Sequence, residues 1–529
     1  MTERSRTEYS IVNIAASMGG YALNIILSFI CRIVFAHQLS ADYLGVNGLF
    51  GNILSMLSLT ELGIGTAMIY ALYRPVAQKD EKKIASYMRV YGTAYKAIGC
   101  VVGILGLALI PVLKFIINEP PNIHENIYFL YVLFLFSTAS SYFFSYRCSI
   151  FMANQRNYIV VAMNYMVVIV QNIAQIIALV LTHNYIVYLV LQVVFTFLSN
   201  ALISRKAVKD YPYITDKEAP KLEKAEIWDL VKNIKALTVT KLSGILVNNT
   251  DNIVITYFKG LIATGLVSNY ALLINMLTSL VTQVFTSITA SVGNLNAVGD
   301  EEQKYSIFNT LNLANFWIYG WVFVGIIVLV NDVIAFCFGK NYIMPETIPI
   351  ILAINFYMLG MQNIVGIYKS TMGLFKYGQY ILLSTAVLNL IGDVVLGKQY
   401  GILGIFVATA VARLFTNTWY EPYVIYKHGF KRKFKEYILK YAWFAISLII
   451  ATIATYMLCQ LVKMTLFVQI IIKGIICILV PNLIFIVMMH RMPEFKALLE
   501  LVQRVLQKIK GRCDRKDRCC RLRITICMM

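Results

Sequence analysis

Eight ionisable residues lie within long apolar stretches of this sequence, where a charge needs a physical reason. They are Arg32, Glu61, Lys96, Arg147, Lys241, Asp251, Asp393 and Arg413. An ionisable side chain in hydrocarbon costs about 2.5 to 3.5 kcal/mol, so each of them needs water, a partner or a ligand. Basic residues outnumber acidic ones in this set, and the planar fork of arginine suits phosphate oxygens. This balance favours an anionic ligand over a cationic one.

Four of these residues are the main candidates for substrate binding. Arg32 lies near the predicted outer end of its apolar stretch, where it either binds diphosphate in a cavity or extends to the interface. Glu61 is too deep for its short side chain to reach the outer surface, which indicates a cavity or ion-coupling residue, or else a structural ion pair. Lys96 either contacts substrate or reaches the cytoplasmic surface. Asp251 is a hypothetical partner for Arg32, and the alternative is a carboxylate exposed near the interface.

The remaining four are weaker candidates. Arg147 and Lys241 lie near predicted cytoplasmic ends, where long basic side chains reach the interface. Arg413 lies in the middle of an apolar stretch and is harder to explain in that way. Asp393 lies near a predicted outer end, and we expect it to be solvated.

The elements that carry these residues are membrane helices. The 529 residues are 59% hydrophobic and 14% charged, whereas soluble domains carry about 25% charged residues. A bilayer core needs about 20 apolar residues per helix, and such stretches recur along nearly the whole chain. We predict about fourteen spans, at residues 11–36, 46–73, 88–113, 126–152, 157–181, 185–204, 236–258, 264–293, 307–330, 347–372, 377–396, 401–426, 438–461 and 466–489.

The distribution of basic residues sets the predicted orientation, because cytoplasmic loops carry an excess of Lys and Arg. With the N-terminus in the cytoplasm, most of the 47 basic residues fall on the cytoplasmic side. The opposite side receives only Lys114, Lys259, Lys340, Lys398 and Lys463. The sequence therefore predicts a multi-pass protein of the cell membrane with both termini in the cytoplasm.

A weak internal repeat suggests two related halves. The segment Arg32–Asn52 aligns without a gap on Asn252–Leu272, which places Gly45 on Gly265. At the same shift, the acidic pair that begins at Asp80 falls on the pair that begins at Asp300. Two six-helix halves with the same orientation would leave a cleft between them and would work by alternating access.

We therefore expect an all-α polytopic membrane protein with two pseudo-symmetric six-helix bundles around a central cavity. The predicted domains are an N-terminal bundle (1–204), a cytoplasmic linker (205–235), a C-terminal bundle (236–430), two additional helices (431–490) and a basic cytoplasmic tail (491–529). Residues 494–510 have one apolar helical face, which predicts either an amphipathic helix on anionic membrane lipid or a helix docked on the protein's own loops.

Three segments carry a family resemblance. Glu61–Asp80, Asp251–Gly260 and Val267–Tyr270 resemble the bacterial polysaccharide flippases of the multidrug/oligosaccharidyl-lipid/polysaccharide exporter superfamily. The resemblance implies twelve or fourteen helices in two bundles and export of an undecaprenyl-diphosphate-linked oligosaccharide. It also implies a functional arginine in the first helix, which raises the interest of Arg32.

Other classes of function fit the sequence less well. The basic residues form no stripe on a soluble surface, which argues against nucleic acid, and no cysteine spacing suits zinc. A multidrug cation antiporter of the same superfamily would need acidic residues in its cavity. A membrane-embedded glycosyl or acyl transferase would need a catalytic acid pair or a histidine site, but the five histidines lie near span ends or in loops. We expect a transporter without cofactor or metal; a counter-ion (H+ or Na+) and a polysaccharide polymerase partner stay open.

Overall fold

A computed structural model describes the chain at residues 6–58, 64–117, 121–154, 156–216, 218–286, 288–374, 377–500 and 503. These residues form helices joined by short turns, and they contain no β-strand. Glu61 lies outside the described residues, as does the side chain of Lys241. For these two candidates the sequence prediction stands as made.

The helices follow the predicted apolar spans closely. In the first part of the chain they are α1 (Arg6–Gln38), α2 (Ala41–Leu57), α3 (Ile64–Gln78), α4 (Glu81–Ala108), α5 (Ile110–Ile116), α6 (Ile127–Ser145), α7 (Ser149–Ala153), α8 (Asn157–Thr182) and α9 (Tyr185–Asp210). They continue as α10 (Lys224–Thr286), α11 (Thr289–Val298), α12 (Glu301–Cys337), α13 (Thr347–Thr371), α14 (Gln379–Tyr400), α15 (Ile402–Phe415), α16 (Asn417–Val424), α17 (Lys435–Gln460) and α18 (Leu466–Met489).

Eleven helices of the described chain are long and apolar enough to cross a membrane, and a shorter apolar segment covers Leu23–Gln38. This confirms an all-α polytopic membrane protein. The difference from fourteen has local causes. The span 46–73 falls on α2 and α3, with residues 59–63 outside the described part, and the spans 236–258 and 264–293 share α10.

Two predicted breaks between neighbouring spans are present. Gly260 interrupts α10 with φ 80° and ψ 175°, a conformation that glycine adopts more readily than other residues. His183 has φ 51° and ends α8, and the Asn184 side chain accepts hydrogen bonds from the first amides of α9. The division between these two spans, which only three polar residues mark in the sequence, is therefore confirmed.

Intrachain contacts group the residues into two compact units. Unit 1 contains Met1–Leu273, Cys337–Met344 and Gln379–Ala412. Unit 2 contains Ile274–Phe336, Pro345–Gly378 and Arg413–Met529.

The aligned positions of the internal repeat have related structural roles. Within unit 1, Gly45 and Gly265 lie at a close helix crossing, where a Cβ on either would overlap a backbone carbonyl of the opposite segment. Asp80 accepts a hydrogen bond from the amide of Lys83 at 2.9 Å and so caps α4. Asp300 accepts one from the amide of Gln303 at 2.6 Å at the start of α12. These shared roles support the alignment more strongly than its low identity does.

The predicted linker is anchored to unit 1 by an ion pair. Glu226, at the start of α10, lies 2.6 Å from the ammonium of Lys83 at the start of α4. The hydrogen bond from Lys83 holds the pKa of Glu226 below its ordinary value. This pairing contributes stability above the ordinary glutamate pKa and is lost as the pH falls through the lowered one.

The last helix is attached to unit 2 by a polar cluster that the sequence analysis did not identify. Lys473 on α18 lies 2.7 Å from the carboxylate of Asp332 on α12, and Gln469 donates to the same carboxylate at 3.2 Å. Both charged side chains are mostly buried. Each of them lies in an apolar helix only because the other is present.

Lys473→Met is expected to lower the free energy of unfolding by about 3 kcal/mol, because it leaves the Asp332 carboxylate buried without its counter-charge. Thermal unfolding of the purified protein in detergent measures the change. The double variant Asp332→Leu with Lys473→Met removes both charges and should recover most of the loss. Equal midpoints for the single variant and the wild type would show that the pair has no structural role.

The segment after α18 docks on unit 2. Residues 493–500 are helical, the ring of Phe495 stacks on Trp317 at 5.7 Å, and Glu494 pairs with Lys440 at 2.6 Å. Of the two alternatives for this segment, docking on the protein itself fits its described part. Residues 504–510 lie outside the described residues.

Candidate functional site

A cluster of buried oxygen-bearing side chains lies within unit 1. Asp251 projects from α10, Asn389 and Asp393 from α14, and Thr409 from α15. The Asn389 amide donates to the Asp393 carboxyl at 2.9 Å and to the Thr409 hydroxyl at 3.0 Å. The Thr409 hydroxyl lies 3.4 Å from the Asp251 carboxyl, which is also within hydrogen-bonding reach of Asp393. We call these four residues the carboxyl cluster.

Helix spacing and small residues assemble the carboxyl cluster. Asn389 and Asp393 are four residues apart, so they share one face of α14. Gly401 has φ +63° and allows the sharp turn into α15. At Gly392 a Cβ would lie only 2.8 Å from the Cβ of Ala408, so glycine permits the close approach of the two helices. This approach brings Thr409 to the polar face of α14.

The burial of Asp393 corrects the sequence expectation. Its side chain has 0% exposure, as does that of Asn389. A position near a helix end suggested solvation, but packing between α14 and α15 covers the carboxyl. The prediction of a solvated Asp393 was therefore wrong. A four-residue spacing of Asn and Asp within an apolar stretch is the signal that could have identified the cluster.

The carboxyl cluster has the chemistry of a site for a small cation or a proton. Two buried carboxyl groups in contact cannot both stay charged unless a positive charge lies between them. The side-chain oxygen of Asn389 is buried and accepts no hydrogen bond from the described residues. Carboxyl, amide and hydroxyl oxygens are the ligands that hard cations prefer. The described residues contain no group of three or more His, Cys, Asp or Glu side chains suited to a metal ion.

Arg32 lies in a second polar environment of unit 1. Its guanidinium donates to the Ser268 hydroxyl at 2.5 Å and to the Asn269 side-chain oxygen at 3.3 Å. Its carbon lies 5.9 Å from the centre of the Phe35 ring. The ionisable groups that act on it belong to Tyr185, Tyr188, Tyr342 and Cys31, so no carboxylate of the described residues balances its charge. An uncompensated guanidinium with five donors is suited to an anion.

Arg32 and Asp251 have different partners in the structure. Arg32 contacts Ser268 and Asn269, and Asp251 belongs to the carboxyl cluster. The hypothesis that they form a salt bridge is therefore wrong. The alignment placed them at nearly equivalent positions of two helices, but equivalent positions in a repeat need not face each other.

The other candidates lie apart from these two sites. Arg147 donates to the Ser204 hydroxyl at 2.8 Å and to the Tyr146 hydroxyl at 3.1 Å, which is a structural environment. The Lys96 side chain is exposed on α4. Arg413 is 7% exposed where α15 ends, and its carbonyl accepts a hydrogen bond from Thr418 at 2.9 Å.

Solved structures of membrane transporters resemble this fold. The lipid II flippase MurJ in an inward closed conformation matches with a TM-score of 0.66 and 14% identity, over 90% of this chain and 98% of that one. An inward-facing multidrug resistance MATE transporter of the MOP superfamily matches with a TM-score of 0.57 and 13% identity, over 78% of this chain and 99% of that one. The MATE transporter VcmN of Vibrio cholerae gives 0.51 and 12%, over 79% and 99%.

Neither a protein-family model nor a curated protein sequence matches this chain. Identities of 12 to 14% establish the architecture and leave the cargo open. The architecture agrees with the one that the sequence resemblance implied. The chain therefore has the fold of the transporters of the multidrug/oligosaccharidyl-lipid/polysaccharide exporter superfamily.

Proposed function

We propose that the protein flips an undecaprenyl-diphosphate-linked oligosaccharide from the cytoplasmic to the outer leaflet of the cell membrane by alternating access. The observation that carries the proposal is Arg32, an arginine within an apolar helix whose charge no described carboxylate balances. A diphosphate would supply the missing negative charge. The similarity to a lipid II flippase over 90% of the chain supports the same assignment. The flipped product would then serve a polysaccharide polymerase in surface polysaccharide biosynthesis.

The proposal includes the predicted orientation and domain division. With both termini in the cytoplasm and a negative interior, outward movement of two charges across about 100 mV is favoured by about 4.6 kcal/mol. The carboxyl cluster adds a site at which a counter-ion, H+ or Na+, couples to that movement. Transport would then respond both to the membrane potential and to a cation gradient.

A multidrug cation antiporter is the second candidate function. It is favoured by the pair of buried carboxyls, Asp251 and Asp393, since acidic residues bind organic cations. The similarity to MATE transporters is compatible with it. Arg32 argues against it, because an uncompensated guanidinium repels a cation.

Flipping in proteoliposomes tests the proposal. The assay compares a fluorescent undecaprenyl-diphosphate oligosaccharide with an organic cation, tetraphenylphosphonium, under an imposed potential. We expect protein-dependent flipping of the lipid-linked sugar above the rate of empty liposomes, and no exchange of the cation. Cation exchange without flipping of any lipid-linked sugar would instead establish the antiporter.

A further inference from the structure

Unit 2 contains a cavity of about 520 Å³, which is within the range of small-molecule sites. We call it the amide cavity. It lies among α10, α11, α12, α13 and α16 and is lined by Thr278, Thr282, Thr289, Tyr319, Leu359, Gln362, Asn363, Gly366, Ile367, Ser370 and Glu421.

Hydroxyls and amides dominate the polar lining of the amide cavity. The Thr282 and Tyr319 hydroxyls lie 3.2 Å apart. The Ser370 hydroxyl donates to the Ile367 carbonyl at 2.8 Å, so its oxygen remains an acceptor. The Gln362 amide nitrogen is buried and has no hydrogen-bond partner among the described residues. Leaving such a donor without a partner is unfavourable, so it indicates a ligand or water that accepts a hydrogen bond there.

The amide cavity has little net charge. Glu421 is its only carboxylate in the lining, and it lies 2.9 Å from the ammonium of Lys369, with 12% and 13% of the two side chains exposed. An organic cation would find this carboxylate already paired. A diphosphate would find no uncompensated cation in the lining. The cavity therefore discriminates against charged ligands of either sign.

Tyr319 gives the amide cavity an aromatic wall held in place from behind. Its ring stacks on Phe285 with centroids 6.4 Å apart and planes 16° apart. It also packs against Gly360, where a Cβ would overlap the ring. An oriented ring beside hydroxyl and amide groups presents an apolar face and hydrogen-bonding groups to the same ligand.

We propose that the amide cavity binds a neutral sugar unit of the transported lipid-linked oligosaccharide. Sugar hydroxyls donate and accept hydrogen bonds, which matches a lining of Thr, Ser, Tyr, Asn and Gln side chains. The proposal rests on the proposed function for the identity of its ligand. Under it, Arg32 in unit 1 recognises the diphosphate, and the amide cavity recognises the saccharide by a chemistry independent of charge.

Gly366 offers a way to fill the amide cavity without disturbing the helix. No atom lies within 4 Å of the place where its Cβ would stand. Gly366→Trp therefore places an indole in the cavity. Gly325→Trp on α12 is the matched control, since its Cβ also meets open space and Gly325 is not part of the lining.

Equilibrium binding to the full-length protein in nanodiscs tests the proposal by saturation-transfer NMR. The probes are maltotriose and diacetylchitobiose as neutral sugars, pyrophosphate as an anion and tetraphenylphosphonium as a cation. We expect a sugar signal in the wild type and in Gly325→Trp, and its loss in Gly366→Trp. Gln362→Leu, which removes one donor, should weaken sugar binding about 3- to 10-fold.

Sugar binding that persists unchanged in Gly366→Trp would overturn the proposal. Tetraphenylphosphonium binding that Gly366→Trp abolishes would overturn it as well, because the cavity would then select a cation.

Flipping assays separate this inference from the proposed function. If the wild type and Gly325→Trp flip the lipid-linked oligosaccharide and Gly366→Trp is at least about 10-fold slower, both are supported. Equal flipping by the wild type and Gly366→Trp would overturn the role of the cavity and leave the flippase standing. No flipping by the wild type, with sugar binding lost in Gly366→Trp, would overturn the flippase and leave the sugar site.

Discussion

Asp393→Asn is expected to weaken cation binding about 100-fold and to remove the dependence of transport on a cation gradient. The substitution keeps the shape of the side chain but leaves Asp251 as the single carboxyl of the cluster. A single carboxyl no longer needs a positive charge to balance a neighbouring one. Flipping driven by the membrane potential should continue, because Arg32 is unchanged. The readout is the flipping rate with and without an imposed proton or sodium gradient.

Thermal unfolding gives a readout of the same site that does not depend on transport. A cation that binds only the folded state raises its stability by about 2.7 kcal/mol at a concentration 100-fold above the dissociation constant. Sodium chloride should therefore stabilise the wild type more than choline chloride does, and Asp393→Asn should lose this difference. Asp300→Asn is the matched control, since asparagine also serves as a helix cap. Asp393→Asn that keeps its gradient dependence would exclude the carboxyl cluster as the coupling site.

Thr409→Val separates a sodium site from a proton site. The Thr409 hydroxyl oxygen lies between Asn389 and Asp251, where it would be a ligand of a sodium ion. Its removal should weaken sodium binding about 10-fold. A proton shared by the carboxyls does not need this ligand, so a shifted pH profile without any sodium effect would identify H+ as the counter-ion.

The sequence predicted the helices well because membrane insertion imposes a simple local rule. About 20 apolar residues are needed to cross the bilayer, and polar or glycine-containing breaks must separate successive crossings. The breaks at His183 and Gly260 follow this rule. Charge asymmetry then supplied an orientation, although it supplied no contacts between helices.

The candidate site was harder to predict because it depends on which helix faces which. Depth along a helix correctly marked Arg32 as partly buried, but the same reasoning placed Asp393 in solvent. Asp393 is buried because Gly392 and Gly401 allow α14 and α15 to approach, which is a tertiary effect. Lys473 was overlooked in the sequence because its partner, Asp332, is on a distant helix. Paired charges on different helices cannot be identified from one sequence without knowing the packing.

Replacing Arg32 is expected to have the largest effect on flipping itself. Arg32→Ala should reduce the flipping rate of the undecaprenyl-diphosphate oligosaccharide about 100-fold, since it removes a charge-assisted, bidentate contact to the diphosphate. Arg32→Lys should recover only part of the rate, because an ammonium lacks the planar fork. Arg89→Ala, which removes an arginine that contacts the Ala219 carbonyl, is the control and should flip normally.

The structural alternative is that Arg32 only ties α1 to Ser268 and Asn269. In that case Ser268→Ala with Asn269→Leu would slow flipping as much as Arg32→Ala does, and pyrophosphate would bind all three proteins equally. If Arg32 binds the diphosphate, the double variant keeps its guanidinium and retains pyrophosphate binding, whereas Arg32→Ala loses it. Flipping by Arg32→Ala at the wild-type rate would place the diphosphate elsewhere and would remove the main support for an anionic cargo. Because the carboxyl cluster alone would then define the ligand chemistry of unit 1, that result would favour the cation antiporter.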